Sequence, residues 1–297
     1  MDQEKLRKRA ERFAKPVERP QEYGLPSRGE DRRLTEDKRA RQQLYARVQT
    51  EFVQYCHDHD KTIAGHSLAQ LALESISPKI RHQWRSSHSE SSLHCPESSK
   101  VTIESILMSL RKLREAVLAT PDIFSKHIYL LSVKAALIAG QYQTYLPALR
   151  HLMALEEKKL LLKHETQLVY DLYVIHMANQ RERQEVSSHI HLASPSAQTA
   201  ALAFLTGNYF RWINGFKSEK NPWRYLVMAQ GHPSIVKQAL EAISKSYMTM
   251  KVSSLETLTA CSWPDLLNYG CTFTRENDTV VIRRRNTNTA RASSNNK

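Results

Sequence analysis

Residues 253–285 read SSLETLTACSWPDLLNYGCTFTRENDTVVIRRR. Ser253 and Glu256 stand at the spacing of a capping box, in which a hydroxyl and a carboxylate each satisfy a free backbone donor at a helix start. Leu255, Leu258 and Thr259 then share one face. Pro264 suits a first helical turn, where its missing N–H is not needed, and Gly270 suits the left-handed residue that closes a helix, so a second helix is expected over 263–269. Segments 271–274 and 279–283 are β-branched or aromatic and flank Arg275-Glu276-Asn277-Asp278, the pattern of a hairpin and its loop. Val280 and Ile282 are placed inward, Val281 and Arg283 outward. Two short helices and a hairpin, in that order, make a small winged-helix module over 251–285 that closes whatever precedes it.

What precedes it is helical. Ile103, Ile106, Leu107, Leu110, Leu113 and Val117 form one apolar stripe opposite Arg111, Lys112 and Arg114, and Pro121 breaks it. A second helix over 123–139 is apolar on most sides and ends at Gly140. Tyr142, Tyr145, Leu146, Leu149 and Met153 mark a third, 160–178 a fourth, and 197–204, after Ser194-Pro195, the start of a fifth. Pro233 is read as the start of another, running to Tyr247. Short joins favour antiparallel neighbours and hence a right-handed stack of helical hairpins over 100–250. No 34-residue signature recurs, so the array is not a regular tetratricopeptide one. Towards the amino terminus, Leu44, Val48, Phe52 and Tyr55 lie at helical spacing and 68–76 forms a second short helix, so 43–85 is read as accessory helices. Residues 86–99, with seven serines and a proline, read as a linker or inserted loop able to carry phosphates.

Helical repeats closed by a winged helix resemble the PCI family, the scaffold subunits of the proteasome lid, the signalosome and initiation-factor complexes, and of nuclear mRNA-export and processing complexes. Residues 200–212, AALAFLTGNYFRW, are similar to the helix turn with a Gly-Asn-Tyr-aromatic core seen in small PCI-like members and in the germinal-centre-associated nuclear protein group. The resemblance covers about residues 101–285. The proline-rich approach to the core helices typical of that nuclear group is not evident, and the shorter lid-like branch fits the core better. The resemblance implies an all-α fold ending in a winged helix, neighbouring subunits joined through these modules, and basic faces able to contact nucleic acid.

Composition bounds the function independently. The 297 residues, 41% hydrophobic, can bury a core of one large or two modest domains, and only 8 glycines argue against a sheet-rich or Rossmann-type enzyme. No apolar run approaches the roughly 20 residues that cross a membrane, and no signal peptide is evident, so an intracellular protein with no membrane association is expected. Cys56, Cys95, Cys261 and Cys271 lack paired spacing and are expected to be reduced thiols.

The net charge of +13 is unevenly placed: residues 1–42 carry a basic surplus of four and residues 283–297 hold five basic residues and no acid. The arm 1–42 has too little apolar content to fold alone, and 286–297 is a basic disordered tail. Arg7-Lys8-Arg9-Ala10-Glu11-Arg12-Phe13 resembles patches of some nuclear RNA-associated proteins. It is read either as a solvated or partner-docking tail or as a phosphate binder. Candidate nucleic-acid contacts are therefore Arg7, Lys8, Arg9 and Arg12 in the arm, Lys251 before the first wing helix, and Arg283, Arg284 and Arg285 beside the wing.

Catalytic chemistry is not found. Cys56-His57-Asp58-His59 and His94-Cys95 have zinc-compatible side chains, but a closed site needs four ligands and no second pair is well placed. His189 and His191 fit a helix end facing the negative dipole terminus. Glu156-Glu157-Lys158-Lys159 fits a charged helix surface, and Tyr209, Phe210 and Trp212 fit inter-helix packing rather than a base-stacking platform. No P-loop, serine-hydrolase elbow or zinc-protease motif occurs. The expectation is a non-catalytic scaffold without cofactor or metal, nuclear and also compatible with the cytoplasm, partnered by other subunits of a PCI-type complex and by single-stranded RNA. The alternative is a subunit of a lid, signalosome or translation-initiation assembly that works through protein contacts alone.

Overall fold

The computed structural model describes residues 23–29, 32–89 and 101–283. Two helices lead in, the short α1 (Arg33–Glu36) and the long α2 (Lys38–Asp58), whose start is capped by Asp37 accepting from Arg39 N–H at 2.7 Å. The expected arm 1–42 is therefore helical from residue 33 on, because Leu34 and Ala40 are buried in the main core. Leu44, Val48 and Phe52 are buried as their spacing predicts, while Tyr55 is half-buried and Cys56 takes the next inward position; the helix extends beyond the pattern at both ends. A two-residue turn, Ala64-Gly65, both with positive φ, joins β1 (Thr62–Ile63) to β2 (His66–Ser67). Two more helices follow, α3 (Leu68–Ser75) and α4 (Pro78–Ser89). Residues 86–89 are thus helical rather than linker, and 90–100 lie outside the described residues.

The helical body comprises α5 (Ile103–Val117), α6 (Ile123–Ile138), α7 (Tyr142–Glu157), α8 (Lys163–Asn179), α9 (Arg183–His189), α10 (Pro195–Leu205), α11 (Tyr209–Ser218) and α12 (Pro222–Ser246). The α5 stripe is buried as its spacing requires. Two helices, α6 and α8, are buried nearly all round over 128–137 and 169–178 because neighbours surround them: α5, α7 and α12 pack on α6, and α7, α9, α10 and α12 pack on α8. The accessory helices are part of the same core, with α2 laid along α5 and the β1–β2 hairpin touching α12. Lys134 of α6 sits 5.2 Å over the ring of Trp223 of α12, a further tie across this layer.

Pro233 does not begin a helix. It lies inside α12, a 25-residue helix that starts at Pro222 beneath Asn221, whose side chain accepts from Trp223 and Arg224 N–H. Proline removes one backbone bond at that point, and burial of Val227, Met228, Ile235 and Val236 on either side of it holds the helix together. Gly231 faces α8 so closely that a Cβ would overlap the Asn179 amide, which is itself pinned to Val227 O at 2.9 Å. Gly231→Ala is expected to cost about 1–3 kcal/mol by overpacking despite the better helix propensity of alanine. Urea denaturation checks the sign, and a stabilised variant would refute the close approach.

Downstream of α12 come β3 (Thr249–Lys251), α13 (Val252–Thr259), α14 (Trp263–Asn268), β4 (Thr274–Glu276) and β5 (Thr279–Val281). The three strands form one antiparallel sheet in the order β3-β5-β4. The expected hairpin is present, tighter than read, turning on Asn277-Asp278 alone. Ser253 and Glu256 do not form a capping box. The chain passes from β3 straight into α13, so Ser253 is already inside the first turn, and the Val252 N–H is satisfied by Asp278 O at 2.9 Å instead. Glu256 accepts from Trp263 N–H at 2.8 Å and closes the turn between the two helices. Val236, Leu240 and Ile243 of α12 join Val252, Leu255, Leu266 and Val280 in a second core, so α12 belongs to both the helical body and the terminal unit.

Candidate functional site

The terminal sheet positions the two described residues among the expected nucleic-acid contacts. Lys251 pairs with Thr279 at one end of the β3–β5 ladder and is exposed, with no side-chain bond among the described residues. Arg283 extends the other end, its N–H donating to Met248 O at 3.1 Å. Its guanidinium donates to Lys245 O at 3.0 Å, in the last turn of α12, where free carbonyls favour a cation. Lys251 and Arg283 therefore stand apart, and Arg283 is partly committed to the helix it follows. Arg7, Lys8, Arg9, Arg12, Arg284 and Arg285 lie outside the described residues.

The inward and outward assignments hold for Val280, which is buried, and Arg283, which is exposed, while Val281 and Ile282 are both half-buried. Among the described residues strand β4 pairs only with β5, and its other edge carries no strand there. Tyr247, Met248 and Leu267 are exposed on the same terminal unit. The sequence reading missed β3, the three residues Thr249-Met250-Lys251 between the end of α12 and the start of α13.

Two arrangements resemble catalytic pairs. Cys261 Sγ lies 3.3 Å from His232 Nε2, but burial pushes the thiol up to about 11 and the imidazole down to about 4. Both are neutral near pH 7, so no thiolate nucleophile forms there. Tyr145 donates to Gln230 Oε1 at 2.8 Å and lies 2.6 Å from His176 Nδ1, with His176 also held down to about 4 by burial and then by the Arg150 charge. This chain, buried at Tyr145 and His176, joins α7, α8 and α12.

Among the described residues no group of three or more His, Cys, Asp or Glu is arranged to hold a metal. Cys56 is buried with its thiol pushed up to about 12, and His59 donates from Nδ1 to Tyr55 O at 2.9 Å. Cys261 and Cys271 are likewise buried and form no disulfide among the described residues. His189 donates from Nδ1 to Glu185 O at 2.9 Å beside the Tyr170 and Tyr173 rings. His94 and Cys95 lie outside the described residues. No helix among the described residues is long and apolar enough to cross a membrane.

The aromatic cluster divides. Trp212 is buried against Phe204, Tyr209 is half-buried, and Phe210 stands 61% exposed, so packing accounts for the first two and not for the third. No known family model matches the chain, and no curated protein matches it.

Proposed function

We propose that the chain is a non-catalytic scaffold subunit of a PCI-type multiprotein complex, acting in nuclear mRNA processing or export, with RNA contacts through its basic flanks. The observation that carries this reading is the terminal order helix, strand, two helices and hairpin with sheet order β3-β5-β4, built on the last turns of a helix that also belongs to the helical body. This is the order of a winged helix, and the shared α12 makes it a rigid extension of the stack. A docking module needs that stiffness, because a flexible joint would lose affinity to ordering.

Phosphate contacts by the flanks would release counterions, giving a slope of log K against log salt of about −0.7 per contacted phosphate on single-stranded RNA. Fluorescence anisotropy with labelled single-stranded RNA should show this slope. Deleting residues 1–22, which removes Arg7, Lys8, Arg9 and Arg12 and leaves α1 and α2 whole, or replacing Arg283, Arg284 and Arg285 together by Ala, should flatten it. Binding indifferent to both changes removes the RNA role from the flanks. The edge of β4 left unpaired among the described residues, with exposed Tyr247, Met248 and Leu267, favours a second reading, a lid, signalosome or translation-initiation type subunit acting through protein contacts alone.

A further inference from the structure

Helix α11 is firmly seated on one side. Trp212, Ile213 and Phe216 are buried, and Phe216 stacks on Tyr225 and on His232 at ring distances of 4.6 and 4.4 Å. Its other side is exposed and carries Phe210, Arg211, Asn214 and Lys217. Lys217 Nζ donates to Thr257 O of α13, so this face adjoins the terminal unit.

Beside it a half-open cleft of about 520 Å³ separates α10, α11 and the start of α12, with Arg211 and Lys220 at its rim. The side chains of both are exposed and make no ion pair or hydrogen bond among the described residues. The acid next to them is already spent: Glu219 is held by Arg224 at 2.8 and 2.9 Å, and Arg224 in turn by Asp171 at 2.9 Å. Ser196, Thr199 and Ser218 supply hydroxyls to the cleft wall. Gly215 lies on its floor, where a Cβ would meet only Met228 Cε at 4.0 Å. Packing leaves room for a side chain at that position, and a glycine inside a helix costs about 0.5–1 kcal/mol relative to alanine. What the glycine leaves is depth in the cleft.

An exposed aromatic ring next to uncompensated cations and hydroxyls is the chemistry that holds single-stranded nucleic acid, with stacking on the ring and phosphates at the cations. We propose that the exposed face of α11, continued by Lys220, is a second contact surface for single-stranded RNA, in which Phe210 stacks a base while Arg211 and Lys220 take phosphates. This rests on the RNA reading above but uses none of the flank residues.

The test is anisotropy of fluorescein-labelled decauridylate on the full chain at several salt concentrations. Phe210→Ala should weaken binding at least five-fold, as expected for one stacked base, while Phe210→Trp preserves it. Arg211→Glu with Lys220→Glu should weaken binding ten-fold or more and reduce the salt slope by about 1.4, two phosphate contacts. Gly215→Leu, which fills the cleft, should weaken binding with no loss of melting temperature. Phe210, Arg211 and Lys220 are exposed and a Cβ at Gly215 meets only Met228 Cε at 4.0 Å, so the variants should keep the wild-type melting temperature, which circular dichroism checks before binding is compared. If the α11 variants bind within two-fold of wild type while the Arg283, Arg284 and Arg285 variant loses affinity, this surface is not used although the RNA reading stands. No binding of decauridylate by the unaltered chain overturns both. Binding of a labelled ten-residue glutamate peptide in place of RNA, lost in the same variants, assigns the surface to protein and overturns the inference.

Discussion

Asp171→Ala should lower the unfolding free energy by about 3–5 kcal/mol, the cost of breaking a buried ion pair from one side. Asp171 lies in the middle of α8 at 1% exposure, and its carboxylate accepts from Ser194 N–H at 2.6 Å, Ser194 Oγ at 2.7 Å and Arg224 Nη1 at 2.9 Å. Ser194 caps α10, and Arg224 reaches back to Glu219 in the turn before α12. One carboxylate therefore fixes the start of α10 and the first turn of α12 against α8. Removing it leaves a partly buried guanidinium with Glu219 and only a long bond to Ser194 Oγ, and takes the acceptor from the Ser194 N–H. Asp171→Asn keeps the shape and loses the charge, so it should fall between wild type and Ala. Asp171→Leu with Arg224→Met, which discards both charges, should recover much of the loss. Urea unfolding of the four proteins decides it. A loss under 1 kcal/mol for Asp171→Ala would show that the network contributes little.

Acidification should destabilise the protein by a comparable amount. His176 and His232 are buried and held at about 4, against 6.5 for an ordinary imidazole. Between those two values the unfolded chain binds protons that the folded chain refuses, so stability is complete above about pH 6.5 and falls as pH drops towards 4. Two and a half pKa units correspond to on the order of 3 kcal/mol for each residue, and below pH 4 this contribution stops changing. His127 and His151 are also held low, mainly by burial, and act in the same direction. Glu165 adds a loss at lower pH, because bonds from Leu162 N–H and Lys126 outweigh its burial and hold it ionised. Urea midpoints should fall steeply from pH 7 to pH 4.5, and His176→Gln with His232→Gln should flatten that slope. An unchanged slope in the double variant would contradict the assignment.

The residues show why some features were legible in the sequence. The α5 stripe could be read because that helix has one buried face and one solvated face, and the turn residues Pro264, Gly270 and Asn277-Asp278 act locally. Helix α6 announced its burial but not its neighbours, since a surface apolar on most sides gives no direction, while the polar residues of α8, Asp171 and His176 among them, hid how deeply that helix is buried. The start of α12 was hidden by Pro233, a strong breaker overridden by burial, although Asn221-Pro222 is a sound start signal of its own. Asp171 and Arg224 are 53 positions apart, so no local pattern could join them. The cleft beside Arg211 is likewise assembled from α10, α11 and α12, and the exposure of Phe210 was masked by the packed aromatics near it, half-buried Tyr209 and buried Trp212.

The proposal at the centre is that the strand, helix pair and hairpin built on α12 dock the chain into a stable assembly. Purification of the tagged full chain from cells, with and without nuclease, followed by mass spectrometry and stoichiometry, tests it most directly. The account predicts a fixed set of partner subunits that survives nuclease and is lost in Val280→Asp, which puts a charge into the second core. Recovery of the chain alone after nuclease, or partners retained undiminished by Val280→Asp, would contradict it.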